Sequence, residues 1–336
     1  MKKKSIYLIL LLFSSTIYSQ KQENLNQEKI GVKNQKTYSF EAFFRLNSGI
    51  WSPESLRRES DSNSSLGNAA SNGYLNSYDR PSRDKKFENH GYTSLGFIYK
   101  HFSRKLTLDY NYLVYSQYFK MNFKYAGVVG KQGFEQSEIG SAFTYDIHPY
   151  RVENKFALTK EIFNNGRFIF GIGGGIRNIS IIRERQYPNY IPEYIRYVSS
   201  VSNYSNIIKT YGPQISVRSE LQLISSLFFR MNVDYFYTQG HAKYNFETVN
   251  VNSLHVAKAD NAIQFHGFDF NTDISYILFN NFRLFFGYEL IVSWSKYRQY
   301  NQLSSATDLQ TILSSEVQKR EYTQNKTDSL QLWYFG

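Results

Sequence analysis

Between Phe282 and Ser295 the chain changes polarity at almost every step. Phe282, Leu284, Phe286, Tyr288, Leu290, Val292 and Trp294 hold the even positions, and Arg283, Phe285, Gly287, Glu289, Ile291, Ser293 and Ser295 the odd ones. Just upstream, His266, Phe268, Phe270, Thr272, Ile274, Tyr276 and Leu278 alternate with Gly267, Asp269, Asn271, Asp273 and Ser275. Successive side chains of a β-strand point to opposite faces, so each segment offers one apolar face and one that carries charge. Strands of soluble domains are usually about 5–6 residues long. Alternation sustained over a dozen or more residues suits a strand that crosses a bilayer at a tilt.

Ten such segments occur, at 37–48, 91–102, 105–118, 149–163, 166–181, 208–224, 227–238, 263–279, 282–298 and 328–336. Ser103-Arg104, Asn164-Asn165, Ser225-Ser226 and Asn280-Asn281 are tight turns between them. Long polar stretches separate the remaining pairs, near 49–90, 119–148, 182–207, 239–262 and 299–327. An even strand number with short turns on one side and long loops on the other describes a bacterial outer-membrane barrel. The expected fold is therefore all-β: one transmembrane antiparallel up-and-down β-barrel over 37–336, with short periplasmic turns and long extracellular loops. The last segment should close the ring against Tyr38 to Leu46, with Leu330, Leu332 and Tyr334 as its apolar face and Gln331, Trp333 and Phe335 opposite. Either Phe335 serves as the terminal aromatic of the barrel, or further residues continue the strand past Gly336.

The N-terminus agrees with export. Lys2, Lys3 and Lys4 precede the apolar run from Ile6 to Phe13, and small polar residues lead to Ser19-Gln20. This predicts a secretory signal peptide over 1–19, since eight apolar residues are too few for a spanning helix. Residues 20–36 are polar and without period, a flexible periplasmic leader. The chain has no Cys, which excludes disulfides, thiol catalysis and thiolate metal sites.

The charges sort by face. Arg45, Lys100, Lys105, Arg151, Lys155, Arg167, Arg177, Arg218, Arg230 and Arg283 are assigned inward, with Glu41, Asp109, Glu153, Glu161, Glu220, Asp234, Asp269, Asp273 and Glu289 against them. A near-neutral set suits a narrow lumen whose charges must pair. Ten strands enclose little space, because eight leave room mainly for side chains. Arg177, Arg218, Glu220, Arg230, Asp234, Asp269, Asp273 and Glu289 fall at similar depth and are expected to form an ionic network that plugs the barrel. Glu289 with Asp269 has the look of a hydrolytic acid pair, but that depth denies access to a polymer.

Aromatic residues mark both rims. Phe102, Phe163, Phe168, Phe228, Phe279 and Phe282 cluster at the short-turn end, and Tyr115, Tyr118, Tyr150, Tyr235, Tyr237, Tyr297 and Tyr300 at the long-loop end. Lys296 and Arg298, flanked by Tyr297 and Tyr300, would face outer-leaflet headgroups, so the expected partners are outer-membrane lipid and the phosphates of lipopolysaccharide. The glycines Gly171, Gly173, Gly174 and Gly175 lie inside a strand without the dinucleotide spacing; Gly171, Gly173 and Gly175 should face the lumen and give room to Arg177, and no cofactor is expected. The histidines His90, His101, His148, His241, His255 and His266 are scattered, and although His241 and His266 flank one loop, no metal site is expected. The first long loop mixes six basic with six acidic residues, which excludes a nucleic-acid stripe.

The ten-strand plan with long outer loops resembles the omptin family of outer-membrane proteases. That resemblance implies an Asp pair on one side of an extracellular cleft and an Asp–His pair on the other. The second long loop offers Glu135 and Glu138, and the fourth His241, Glu247, His255 and Asp260, with neither Asp-x-Asp nor Asp-x-His. No catalytic residue carries over, and fold alone licenses no activity. The expected function is a non-enzymatic envelope scaffold, accessory subunit or surface-binding protein with an envelope protein partner. An omptin-like hydrolase with diverged acids and a narrow small-solute porin are the rivals.

Overall fold

The computed structural model of the 336-residue chain describes residues 37–56, 58, 74–78, 82–83, 92–128, 138–191, 194–250, 253–279, 282–300 and 319–336. The expected signal peptide and leader lie outside these. Fourteen strands are present among the described residues: β1 (Tyr38–Ser52), β2 (Tyr74–Tyr78), β3 (Ser82–Arg83), β4 (Tyr92–His101), β5 (Leu106–Ser116), β6 (Phe119–Val128), β7 (Glu138–Ile147), β8 (Tyr150–Asn164), β9 (Phe168–Ile191), β10 (Tyr194–Ile224), β11 (Leu227–Asn250), β12 (Ser253–Phe279), β13 (Phe282–Tyr297) and β14 (Lys326–Phe335). Ten of them close one antiparallel ring in the order β1-β14-β13-β12-β11-β10-β9-β8-β5-β4. The other four make a small separate sheet, in which β6 pairs with β2, β3 and β7.

The tight turns sit where the alternation breaks. At Asn164-Asn165-Gly166 the Asn165 side chain accepts from the backbone N–H groups of Arg167 and Phe168, and Gly166 takes the left-handed conformation at φ 85° that its missing Cβ permits. The long-loop ends depart from expectation. The stretches 182–207 and 239–262 are largely strand, because β9 to β12 run on for 24 to 31 residues and stay paired to their tips. They raise one side of the ring into a tall wall. Likewise 119–148 contains the β6–β7 hairpin, split from β5 at Gln117-Tyr118 and from β8 at His148-Pro149, where proline cannot donate to a ladder.

Ring closure is staggered. Tyr38 to Asn47 pair with β4, whereas Leu46 to Ser52 pair with β14, so β14 meets the far half of β1 rather than Tyr38 to Leu46. The facing of β14 is the reverse of expectation. Leu330, Leu332 and Tyr334 are buried inward, and Trp333 and Phe335 stand half-exposed on the outer face with Gln331. Both registers of this strand are apolar, so its sequence does not distinguish lipid from lumen. The inner apolar side joins a cluster with Leu113, Ile179, Ile263, Phe265 and Ile291 toward the long-loop end.

Elsewhere the alternation places side chains as read. On β13 Phe286 is exposed, Tyr288, Leu290 and Val292 are partly so, and Phe285, Glu289 and Ile291 are buried. Lys105 and Arg167, assigned inward from sequence, are exposed in the short turns. A Cβ added to Gly173 or Gly175 would lie 2.0 Å from the Leu158 carbonyl oxygen or 1.8 Å from that of Phe156. These positions therefore require glycine for the close β8–β9 approach.

Leu290→Arg places a cation on the mid-strand outer face between Phe270 and Gln331, and should cost about 2–4 kcal/mol near the bilayer midplane. Heat-modifiable gel migration should show less folded barrel for it than for Leu290→Phe. Equal folding of the two would mean that this face does not meet lipid.

Candidate functional site: the ionic lumen and its lid

The inward face of the ring carries charge in two tiers. The upper tier is buried and tightly paired. Arg151 bonds Glu153 at 2.5 Å and also Asp328. Arg177 donates from Nε to Glu153 at 2.8 Å and from Nη1 to Asp269 at 2.9 Å. Lys155 reaches Asp269 at 2.5 Å and contacts Glu289. The Arg177 guanidinium also stacks 4.0 Å from the ring centre of Phe236. These residues come from β8, β9, β11, β12, β13 and β14, so the tier bridges the bore. None of its charged side chains is more than 8% exposed.

The lower tier is looser. Arg218 stands 3.6 Å from Asp234 and 3.8 Å from Asp109, Arg45 is 3.9 Å from Glu289, and Arg283 is 3.6 Å from Glu41. Only Arg230–Asp273 at 2.8 Å and Lys100–Glu220 at 3.2 Å are close. Two cavities open between these groups. The inner one, about 20 Å³, is lined by Arg45, Asp109, Asn111, Lys155, Arg218, Asp234 and Asp269 among others. The outer, about 70 Å³, extends toward the short-turn end past Lys100, Glu161, Gly171, Glu220 and Asp273. Several buried atoms facing the inner cavity lack a hydrogen-bond partner: Arg45 Nε and Nη1, Arg218 Nε, Asn111 Oδ1, Asp234 Oδ1 and Asp269 Oδ1. Both cavities exceed the roughly 10–15 Å³ that one water requires, and donors and acceptors are mixed in the lining. The lower lumen suits water.

The eight residues expected to form one network thus divide. Arg177, Asp269 and Glu289 belong to the tight tier, and Arg218, Glu220, Arg230, Asp234 and Asp273 to the loose one. Asp234 and Asp269 are direct partners across β11 and β12. Glu289 and Asp269 do not act as a free acid pair, because Lys155 binds both.

A lid unmarked in the sequence covers the upper tier. Asp328 is buried on β14 and accepts from Trp51 Nε1 at 3.1 Å and from the backbone N–H of Glu54 at 3.1 Å, besides its pair with Arg151. Glu54 begins a helical turn that ends at Arg58. The Arg58 guanidinium, fully buried, donates from Nη1 to the carbonyls of Glu321, Tyr322 and Gln324 at 2.8–3.0 Å. From Nη2 it donates to Ser295 O at 2.9 Å and from Nε to Glu54 at 2.9 Å. One cation therefore joins the chain after β1, the end of β13 and the helical turn before β14. Burial opposes its charge, but Glu54 with Tyr297 and Tyr244 outweighs that and holds its pKa above the ordinary guanidinium value. Tyr297, Tyr300 and Tyr322 stack around it, and burial pushes the Tyr300 phenol up to about 12. Tyr297 and Tyr115 are consequently buried lid and lumen residues and not rim aromatics.

The remaining candidates lie outside the bore. Lys296 and Arg298 are on the outer side at the long-loop end, where Arg298 Nη1 donates to Gln239 at 3.3 Å. His241 meets Asp260 at 2.8 Å on the same outer face, while His266 stacks on Trp294, so the two histidines do not converge. Glu135 lies outside the described residues, and the side chains of Glu138, Glu247 and His255 do as well. Among the described residues no three His, Asp or Glu side chains are grouped to hold a metal.

Removing one partner of a buried pair leaves the other uncompensated, at about 3–5 kcal/mol. Asp269→Asn strands Lys155 and Arg177 and should lower the gel-shift midpoint temperature sharply. Asp234→Asn, whose ion pair is with Arg218 at 3.6 Å, should lower it far less. Equal losses would show that the tiers are not distinct. Arg58→Met should leave the ring folded and speed hydrogen exchange in 319–325; unchanged exchange would show that this side chain does not hold the lid.

The family described as predicted outer membrane protein, Leptospiraceae, matches residues 19–336. No curated protein matches the chain. Among solved structures, the outer membrane protease OmpT from Escherichia coli aligns with a TM-score of 0.41 at 8% identity, covering 89% of this chain and 93% of that one. The toluene transporter TodX of P. putida aligns with a TM-score of 0.31 at 7% identity, covering 90% and 88%. The match over nearly the whole length makes this chain a member of the predicted outer membrane protein family of the Leptospiraceae, an integral outer-membrane protein whose ten-strand ring is its barrel.

Proposed function

We propose that the protein is a non-enzymatic outer-membrane scaffold or surface-binding subunit that acts through what it exposes outside the bore. The observation that carries this reading is the upper tier together with its lid. A solute crossing the lumen would have to part Arg151, Lys155 and Arg177 from four carboxylates and displace Arg58 from its six acceptor atoms. Separating buried ion pairs is costly because the freed charges are left in a poor solvent. The exposed His241–Asp260 pair argues against a hydrolase, because it lies on the outer face of the wall, turned away from the axis. What remains on offer is surface: the tall wall of β9 to β12 and the β6–β7 hairpin.

Two measurements on the purified full chain test this. In planar bilayers it should give no conductance steps. Across a mixed peptide library it should release no cleavage products. Steps from the parent would support the porin instead, and cleavage by the parent the hydrolase.

A further inference from the structure

Read upward along β10 to β13, the outer face changes chemistry row by row. Ile215, Tyr235, Phe268 and Val292 are cross-strand partners and form an apolar row. Above it come Tyr237, His266 and Trp294, the last two stacked with ring centres 5.6 Å apart. The next row is Tyr211, Gln239, Gln264 and Lys296, and the next Lys209, His241, Ala262 and Arg298. Lys243 opposes Asp260 one row higher, and Lys258 opposes Asn245 above that. Strands lie about 4.8 Å apart and rows about 7 Å, so five Lys and Arg side chains fall within roughly 15 × 20 Å.

Among the described residues, Lys209, Lys258, Lys296 and Arg298 enter no ion pair. Lys209, Lys243, Lys258 and Arg298 are exposed, and Asp260 is the one carboxylate among the described residues on this patch. It serves His241 at 2.8 Å and stands 4.0 Å from Lys243. The patch is also one-sided. At the level of Lys209 the neighbouring outward residues are Ser180 on β9 and Val152 on β8, and one row lower Asn178 and Asn154. At these two levels β8 and β9 therefore carry no outward cation.

We propose that this face of β10 to β13 is a binding site for the phosphorylated headgroup of lipopolysaccharide. The acyl chains lie against the apolar row, the glycan against the aromatic and amide rows, and phosphate is held by Lys209, Lys258, Lys296 and Arg298 through charge-assisted hydrogen bonds. The tall wall continues above the patch and gives the headgroup sugars a surface to rest on. The site is independent of whether the lumen conducts.

Native mass spectrometry of the full chain in detergent tests it. Rough lipopolysaccharide should bind the parent, and Lys209→Gln/Lys258→Gln/Arg298→Gln should weaken binding roughly a hundredfold, each cation contributing about a factor of five at an anionic surface. All three residues are exposed, and heat-modifiable migration verifies that the variant folds. Lys105→Gln/Arg167→Gln at the opposite rim should bind as the parent does, and dephosphorylated lipopolysaccharide should bind the parent as weakly as intact lipopolysaccharide binds the triple variant. Equal retention by parent and triple variant overturns the proposal. So does equal displacement by phosphatidylglycerol, which would mark a general anionic belt, or an equal loss in the opposite-rim variant.

Discussion

In hydrocarbon no water is available to pair a backbone N–H or C=O, and each unpaired group costs several kcal/mol. The pairing of β1 with both β4 and β14 is the interaction that removes the last open edge, and the rest of the molecule follows from it. A closed ring of ten strands turns every second side chain into a bore too narrow for bulk water. Residues there must then satisfy one another. The upper tier does so through contacts of 2.5–2.9 Å among Arg151, Glu153, Lys155, Arg177 and Asp269, whereas the lower tier, where most pairs stand 3.4–3.9 Å apart, leaves space for solvent.

Closure also explains the glycines of β9. A narrow barrel bends its strands sharply, and at Gly173 and Gly175 the β8 backbone passes where a Cβ would stand. The space left on the inner side at Gly171 and Ala157 becomes part of the two cavities. A phosphate-loop reading of the same run would have needed a helix after it, and the chain instead continues as strand to Ile191.

The ring was legible in the sequence because membrane strands must separate polarity by face over their whole spanning length. On β12 and β13 that separation is almost complete, and the inward set from Arg218 to Glu289 could be read from parity alone. Where lipid stops, the constraint stops. The upper parts of β9 to β12 carry Lys209, His241, Lys243 and Asp260 on the outside, so their pattern resembles that of a polar loop although the backbone stays paired. On β14 the constraint fails for a different reason: both faces are apolar, and only its neighbours decide that Leu330 turns inward and Trp333 outward. That reversal also hid Asp328, which shares the parity of Leu330. Arg58 was illegible because it stands beside Arg57 in a polar run, and its burial depends on carbonyls some 260 residues away.

The rim is uneven, and the unevenness has a mechanical consequence. β13, β14 and β1 end low, while β9 to β12 rise on the other side. A bore with one low lip can be covered only by chain that folds across from it, and the two described segments that do so leave from the low strands. Residues 54–58 follow β1 and residues 319–325 precede β14, the pair of strands that closes the ring. The lid is therefore fastened at the seam. Asp328 holds the backbone of Glu54 and the Arg151 charge at once, and Arg58 holds the carbonyls beyond it. Zipping the last strand onto the first brings Asp328 within reach of Trp51 and Glu54, so the contacts that complete the wall also set the lid and seal the upper bore.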